Sequence, residues 1–429
     1  MAELPYLTSD LAGTGGRIKV YLEDFQVDEI PLYQPCGKGT HAYFRIRKAG
    51  VPTQVAVDRI ARFMGVRPSD IGFAGLKDSQ AIATQMMSLE YADAGKLRRF
   101  RDANIQVLDV TWHGNKLRVG HLAGNRFVIR IRFGGQDGPD GSGADAPDAG
   151  GAALGPAERL LRAQAVLDVL ARRGAPNYFG QQRFGARGDT AVLGAALVRG
   201  DLEKFVNVFL GRAAPHDPPD CRAARDAFDT GFFDRAMQRW PRHYTDQRRA
   251  LVAYKRRRNA SAAVAAVGKR LKRLFVSAFQ SEIFNEVLAR RIQEIDRVAL
   301  GDLAQKEDSG GVFLVEDEAT EQPRAQAFEI SPTGPIVGPR CNSPRGRPGE
   351  IESAVIAKFN IRPEDFARVG SLHSKGGRRA LRFKLDSPRL AAGQDRHGRY
   401  IELAFTAPSG SYATVVLREI MKGPKAVNP

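Results

Sequence analysis

What most constrains this chain is a change in hydrophobic period along its length. In residues 17–30 apolar and polar side chains alternate (Ile18, Val20, Leu22, then Phe25, Val27, Ile30), which predicts two short strands around a Glu23-Asp24 turn. Residues 41–47 alternate again, with Ala42, Phe44 and Ile46 on one face. Residues 53–64 have the helical period, with Val57, Ile60, Ala61 and Met64 on one stripe, Thr53 as N-cap and Gly65 as stop. Residues 69–85 read as strand, glycine-rich turn and strand. Residues 116–119 and 126–133 read as a strand pair, the second setting Phe127, Ile129, Ile131 and Phe133 against Arg126, Val128, Arg130 and Arg132. That mainly basic face predicts a sheet with one side open to solvent or RNA.

The pattern then changes. Residues 134–155 are rich in Gly, Ala and Asp and predict a mobile loop. A helix follows over 156–173, with Leu160, Leu161, Ala165, Leu167 and Leu170 as its apolar positions. Residues 177–378 read as helices with long loops; 262–295 is the clearest helical stretch, with a break near Ser277, and 312–315 and 327–330 read as short strands. Alternation returns over 379–385 and 400–405, before a helix over 412–421.

A chain of 429 residues exceeds one ordinary core, so two domains are expected. With 43% hydrophobic and 26% charged residues the composition is that of a globular protein. No apolar run approaches the ~20 residues of a spanning helix, and the N-terminus has no secretory pattern, which predicts a cytoplasmic protein with no membrane partner. Cys36, Cys221 and Cys341 are far apart and the histidines are scattered, which predicts neither a disulfide framework nor a metal site. The net charge of +17 favours a polyanionic partner, nucleic acid first. Basic clusters at Arg98-Arg99, Lys255 to Arg258, Lys269-Arg270 with Lys272-Arg273, and Arg378-Arg379 are either solvated faces or phosphate contacts. No helix-turn-helix or zinc-finger pattern supports DNA binding.

The segment with most chemical content is Gly72-Phe-Ala-Gly75-Leu-Lys77-Asp78, continuing through Ala81 to Thr84-Gln85. Gly75 is read as permitting a tight turn from which Lys77 and Asp78 project. A carboxylate on a rigid loop beside a cation is held ionised, ready to act as nucleophile or base. A Lys-Asp pair in a turn is, by itself, more often a solvated turn, so its surroundings matter.

Four stretches in order resemble the TruD family of tRNA pseudouridine synthases. They are Ile18-Lys19 through Glu23-Asp24-Phe25-Gln-Val27-Asp-Glu29; Ala74-Gly75-Leu-Lys77-Asp78 through Thr84-Gln85; Gly124-Asn125-Arg126-Phe127; and Pro176-Asn177-Tyr178-Phe179-Gly180-Gln-Gln182-Arg183-Phe184-Gly185. Weaker matches run from Ser277 through Gln280-Ser281 to Phe284-Asn285, and from Pro408 through Gly410-Ser411-Tyr412-Ala413-Thr414 to Arg418-Glu419. The resemblance implies that Asp78 is the catalytic aspartate, that Lys19 is the cation near it, that Asn125 helps fix the catalytic loop, and that Phe127 packs on the target uracil. Lys77, Arg183 and Tyr412 are candidate RNA or cleft contacts; Arg183 is equally suited to an internal carboxylate. Leu22 replaces the family's usual Pro, Tyr412 stands where some members have Phe, and Ser79 stands where a basic residue is common.

The resemblance implies an α+β protein: a catalytic domain with a mixed, mainly antiparallel sheet, built from residues 1–175 and 379–429, and an inserted TruD-specific α/β domain over 176–378. The implied activity is isomerisation of uridine to pseudouridine at position 13 of tRNA, in a cleft between the two, with no cofactor and no metal. The protein is expected to act as a monomer. The rival is a non-catalytic RNA-binding or RNA-chaperone protein on the same scaffold, against which Asp78, Lys19, Asn125 and Phe127 together argue.

Overall fold

The computed structural model describes residues 4–133, 154–372 and 374–422. The predicted loop over 134–155 lies outside the described residues except for Leu154 and Gly155. The chain forms two compact units, one of Thr8–Ala175 with Phe383–Pro429, the other of Met1–Leu7 with Pro176–Arg382.

The first unit is built on an eight-stranded sheet. Its strands are β1 (Phe25–Pro31), β2 (His41–Ala49), β3 (Gly72–Phe73), β4 (Ile82–Glu90), β5 (Ile105–His113), β6 (Leu122–Arg132), β7 (Asp386–Asp395) and β8 (Gly398–Pro408). The order is β7-β8-β6-β1-β4-β2-β5, with β3 on β4. β1 and β4 run parallel and the other pairs antiparallel, giving the mixed, mainly antiparallel α+β architecture.

Residues opposite one another across a ladder share a face, so the registers sort the side chains. Ala42↔Leu89, Phe44↔Met87 and Ile46↔Gln85 are such pairs, and Lys48↔Ala83 continues them. Val27↔Ala83, Val27↔Phe127 and Phe127↔Phe405 carry the same face across the sheet. Its apolar end, Phe44, Ile46, Met87 and Leu89, packs on Val57, Ile60 and Ala61 of the helix Thr53–Met64. Each such burial contributes about 1.5–3 kcal/mol. The other end carries Lys48, Gln85, Glu29 and Asn125, an unusual polar row for a covered face.

Several local expectations change. Residues 18–22 are not a strand: Arg17 makes one bridge to Arg132, and a short 3-10 turn, Leu22–Asp24, leads into β1. Residues 116–119 are loop, and β6 pairs with β1 and β8 in place of the partner expected there. β6 begins at Leu122, so Gly124 and Asn125 lie inside a strand rather than in a turn. Of the three arginines of β6, Arg126 is exposed, but Arg130 and Arg132 are engaged by carboxylates. Arg132 is buried against Asp24 and Asp395, and Arg130 pairs with Glu402 and Asp395. The carboxylates come from β1's leading turn and from β7 and β8, too distant in sequence for the pattern of β6 to show. On the helix Pro156–Arg173 the buried stripe is Arg159, Ala163, Val166, Leu167 and Leu170, while Leu161 and Ala165 face solvent.

In the second unit, helices including Thr190–Arg199, Leu202–Leu210 and Lys269–Arg290 enclose a core with Phe205, Phe209, Phe275 and Phe279 at its centre. A four-stranded sheet orders Gly377–Ala380, Ile330–Ile336, Leu303–Lys306 and Val312–Leu314. The helix expected to break near Ser277 runs through it, and Ser281 Oγ donates back to Ser277 O at 2.8 Å. The break falls instead at Val267-Gly268, between Ala260–Ala266 and Lys269–Arg290. The strand expected over 327–330 starts only at Ile330, because Phe328 takes a positive φ of 59°. Arg378 is no phosphate contact: its guanidinium is buried on Glu352 at 2.6 Å.

Candidate active site

The site grows from the polar end of that sheet face. Between β3 and β4, residues 74–81 form the loop that carries Asp78. Gly75 has no positive φ, and a Cβ there would meet only Leu122 Cδ2 at 3.8 Å, so the fold does not itself require glycine for the turn. The loop is held by polar bonds instead.

Lys77 turns inward. Its ammonium donates to Asn125 Oδ1 at 2.6 Å and pairs with Glu29 Oε2 at 3.0 Å, the two charged side chains only 5% and 2% exposed. Its N–H donates to Thr53 Oγ1 at 2.8 Å, and the Thr53 hydroxyl donates to Gln85 Oε1 at 2.9 Å. Thr53 is therefore not the predicted helix cap, a position that Pro52 occupies, but a strut between sheet and loop. Lys77 is correspondingly anchored within the protein.

Asp78 points the other way, its side chain 24% exposed. Its Oδ2 pairs with the ammonium of Lys19, and its Oδ1 accepts from Gln80 N–H at 3.2 Å. Lys19 reaches it from a backbone φ of +57°, a region that residues other than glycine enter seldom. Behind Lys19, buried Asp24 accepts from Tyr21 N–H at 2.9 Å and from Arg132 Nε at 2.8 Å, fixing the turn. The Lys19 ammonium also lies 4.7 Å from the centre of the Phe25 ring. The Glu23-Asp24-Phe25 segment is thus the bracket that aims Lys19.

Asn125 and Phe127 share the face of Glu29 by register. Gly124 beside them permits close strands, since a Cβ there would lie 2.5 Å from Ala407 O. Phe127 is 6% exposed, its ring 5.2 Å from Phe405 and 6.2 Å from Phe25. Tyr412 is half-buried immediately before the helix Ala413–Met421. Arg183 belongs to the other unit. There its guanidinium lies 5.2 Å over Phe179, whose main chain is gripped at both N–H and C=O by Asn285. Among the described residues no carboxylate pairs with Arg183.

Lys48 carries a role absent from the sequence reading. It is fully buried in β2, and its ammonium donates to Asp78 O at 2.8 Å and Val51 O at 2.7 Å. Burial pushes it down to about 8, against a raising influence from the Asp78 carboxylate. The signal was present: Lys48 is the next inward position after Ala42, Phe44 and Ile46. Glu29, Thr53 and Gln85 likewise matter only once the loop is seen on top of them. Among the described residues no cluster of His, Cys, Asp and Glu could hold a metal, and no helix is long and apolar enough to cross a membrane.

A part-exposed carboxylate with a fixed cation on one oxygen, on a rigid loop, can attack an electrophilic carbon or accept a proton. The family model described as tRNA pseudouridine synthase D (TruD) matches residues 2–420. A tRNA pseudouridine synthase D of Geobacter sulfurreducens is 41% identical over 98% of this chain and 97% of its own. That of Anaeromyxobacter dehalogenans is 35% identical over 98% of this chain and 97% of its own. A solved Methanosarcina mazei protein described as a tRNA pseudouridine synthase D (TruD) superposes with a TM-score of 0.80 at 28% identity, covering 97% of this chain and 96% of that one. Fold and relatives together define an isomerase that makes pseudouridine in tRNA. Within that class, the chain belongs to the TruD family.

Proposed function

We propose that this chain isomerises uridine to pseudouridine at position 13 of tRNA, with Asp78 as nucleophile and no cofactor. The observation that carries this reading is the opposed pair on one loop: Lys77 sealed against Glu29 and Asn125, and Asp78 held outward on Lys19. The reaction breaks the N1–C1′ bond, turns the base and joins C5 to C1′. The Asp78 carboxylate begins it either by attacking C1′ or by taking a sugar proton to give a glycal. Lys19 holds the carboxylate in place through their ion pair. Lifting the uridine from its stack costs a few kcal/mol. The aromatic group of Phe127, Phe25 and Phe405 offers a floor on which the base recovers about 1–3 kcal/mol.

The test is to incubate unmodified tRNA with the protein and map pseudouridine at nucleotide resolution. Modification at position 13 supports the reading. Modification elsewhere refutes the position, and none at all refutes the activity.

A further inference from the structure

Lys48 is a buried cation that touches the main chain of Asp78, and the chemistry proposed above makes no use of it. Lys48 has three N–H donors and no exposure. Two donors reach Val51 O at 2.7 Å and Asp78 O at 2.8 Å, and Lys77 O lies at the 3.5 Å limit. Among the described residues no carboxylate oxygen lies within ion-pair distance of it. A buried ammonium with only carbonyl partners is costly to keep, and a Met or Leu would cover the same surface without that cost. Its bonds tie Val51, just before the helix Thr53–Met64, to the main chain of Asp78, a second link beside the bond from Lys77 N–H to Thr53.

We propose that Lys48 is a positioning residue of the isomerisation, whose buried ammonium fixes the Lys77-Asp78 main chain so that the Asp78 carboxylate meets both Lys19 and the sugar. The inference rests on the reading of Asp78 as nucleophile. It has a consequence for pH. Burial and the neighbouring Lys77 lower the ammonium to about 8, while Asp78 raises it. Glu29 is engaged by Lys77, and Arg47, Arg98, Arg101 and Asp102 share with Lys48 the wall of a cavity of about 730 Å³. As pH rises through about 8, Lys48 loses its charge; the two donors that remain still reach Val51 O and Asp78 O, but as neutral and therefore weaker hydrogen bonds, and the loop's tether loosens. Turnover therefore has an alkaline limb that belongs to Lys48.

The experiment compares the parent, Lys48→Met and Lys48→Gln in single-turnover pseudouridine formation on saturating tRNA from pH 6.5 to 9, with tRNA affinity measured at each pH. Lys48→Met is expected to turn over about 10- to 100-fold more slowly at pH 7, since small misplacements of a reacting group cost this much, with affinity within about threefold of the parent. Its profile should be flat where the parent falls. Lys48→Gln keeps two N–H donors that do not titrate, and should show an intermediate rate without the limb; it carries the test if Lys48→Met does not fold. A Lys48→Met rate within about twofold of the parent overturns the proposal, as does a limb that persists unshifted in Lys48→Gln. Asp78→Asn is run alongside. If it still turns over, the nucleophile reading fails. If it is inactive while the Lys48 variants behave as the parent, only the present inference fails.

Discussion

Glu29→Gln removes one charge from beneath the loop that carries Asp78 while keeping the shape of the side chain. Glu29 and Lys77 are sealed from solvent, 2% and 5% exposed, at 3.0 Å. The amide oxygen can still accept from Met86 N–H, which meets Glu29 Oε1 at 3.2 Å. The Lys77 ammonium, however, keeps only the neutral Asn125 Oδ1 as a strong partner. Exposed pairs contribute about 0–1 kcal/mol, but deleting one partner of a buried pair costs about 3–5 kcal/mol because the remaining charge is stranded. In a unit of this size each kcal/mol moves the melting temperature by about 2–4 °C, so a fall on the order of 10 °C is expected. Thermal melting followed by circular dichroism measures it, with single-turnover rate as the second readout. Adding Lys77→Met removes the stranded charge and should recover about half of the loss, a coupling that contacting residues show and distant ones do not. Melting of Glu29→Gln within about 2 °C of the parent, or strict additivity of the two substitutions, would refute the reasoning.

Lys19→Met should slow single turnover by about 100-fold with tRNA affinity little changed, the scale seen when one preorganised charge contact is lost; a rate equal to the parent's removes Lys19 from the chemistry. The Arg132 guanidinium beside Asp395 holds that carboxyl well below the usual carboxylate range. A lowered carboxyl stabilises the fold above its unfolded value near ~4 and loses the contribution as pH falls through its folded one. The stability gap between parent and Asp395→Asn, measured by urea unfolding, should therefore be constant above pH ~5 and shrink below ~4; a gap that grows with acid contradicts the assignment. Binding of tRNA should weaken steeply with salt on a chain of net charge +17. Six phosphate contacts would cost roughly a thousandfold between 50 and 200 mM, and a flat titration would mean that the basic surface does not meet RNA.

Much of the sheet was legible because period-2 alternation survives in strands covered on one face. β2 and the helix Thr53–Met64 follow directly from it. β7 was not legible: Asp386–Asp395 has no buried residue to mark a core-facing side, and it delivers Asp395 to Arg132. The paired residues Lys19 and Asp78 were named from motif resemblance, and the structure brings them into contact. Lys77 and Thr53 were named with other roles, because a hydroxyl at a helix start and a lysine in a turn read locally as a cap and as an RNA or cleft contact. Only the register of β1, β4 and β6 shows that both belong to one buried network. Arg183 was read as an RNA or carboxylate contact; it lies over Phe179 and, among the described residues, meets no carboxylate.

The most direct test of the central claim uses Asp78→Asn. tRNA carrying tritium at C5 of its uridines releases the label when C5 bonds to C1′, so release counts turnovers. Asn keeps the shape of the side chain and removes the nucleophilic charge. The account predicts that the variant melts with the parent, binds tRNA as the parent does, and releases no tritium above background over many parent turnover times. Sustained release from a folded, tRNA-bound Asp78→Asn would contradict it.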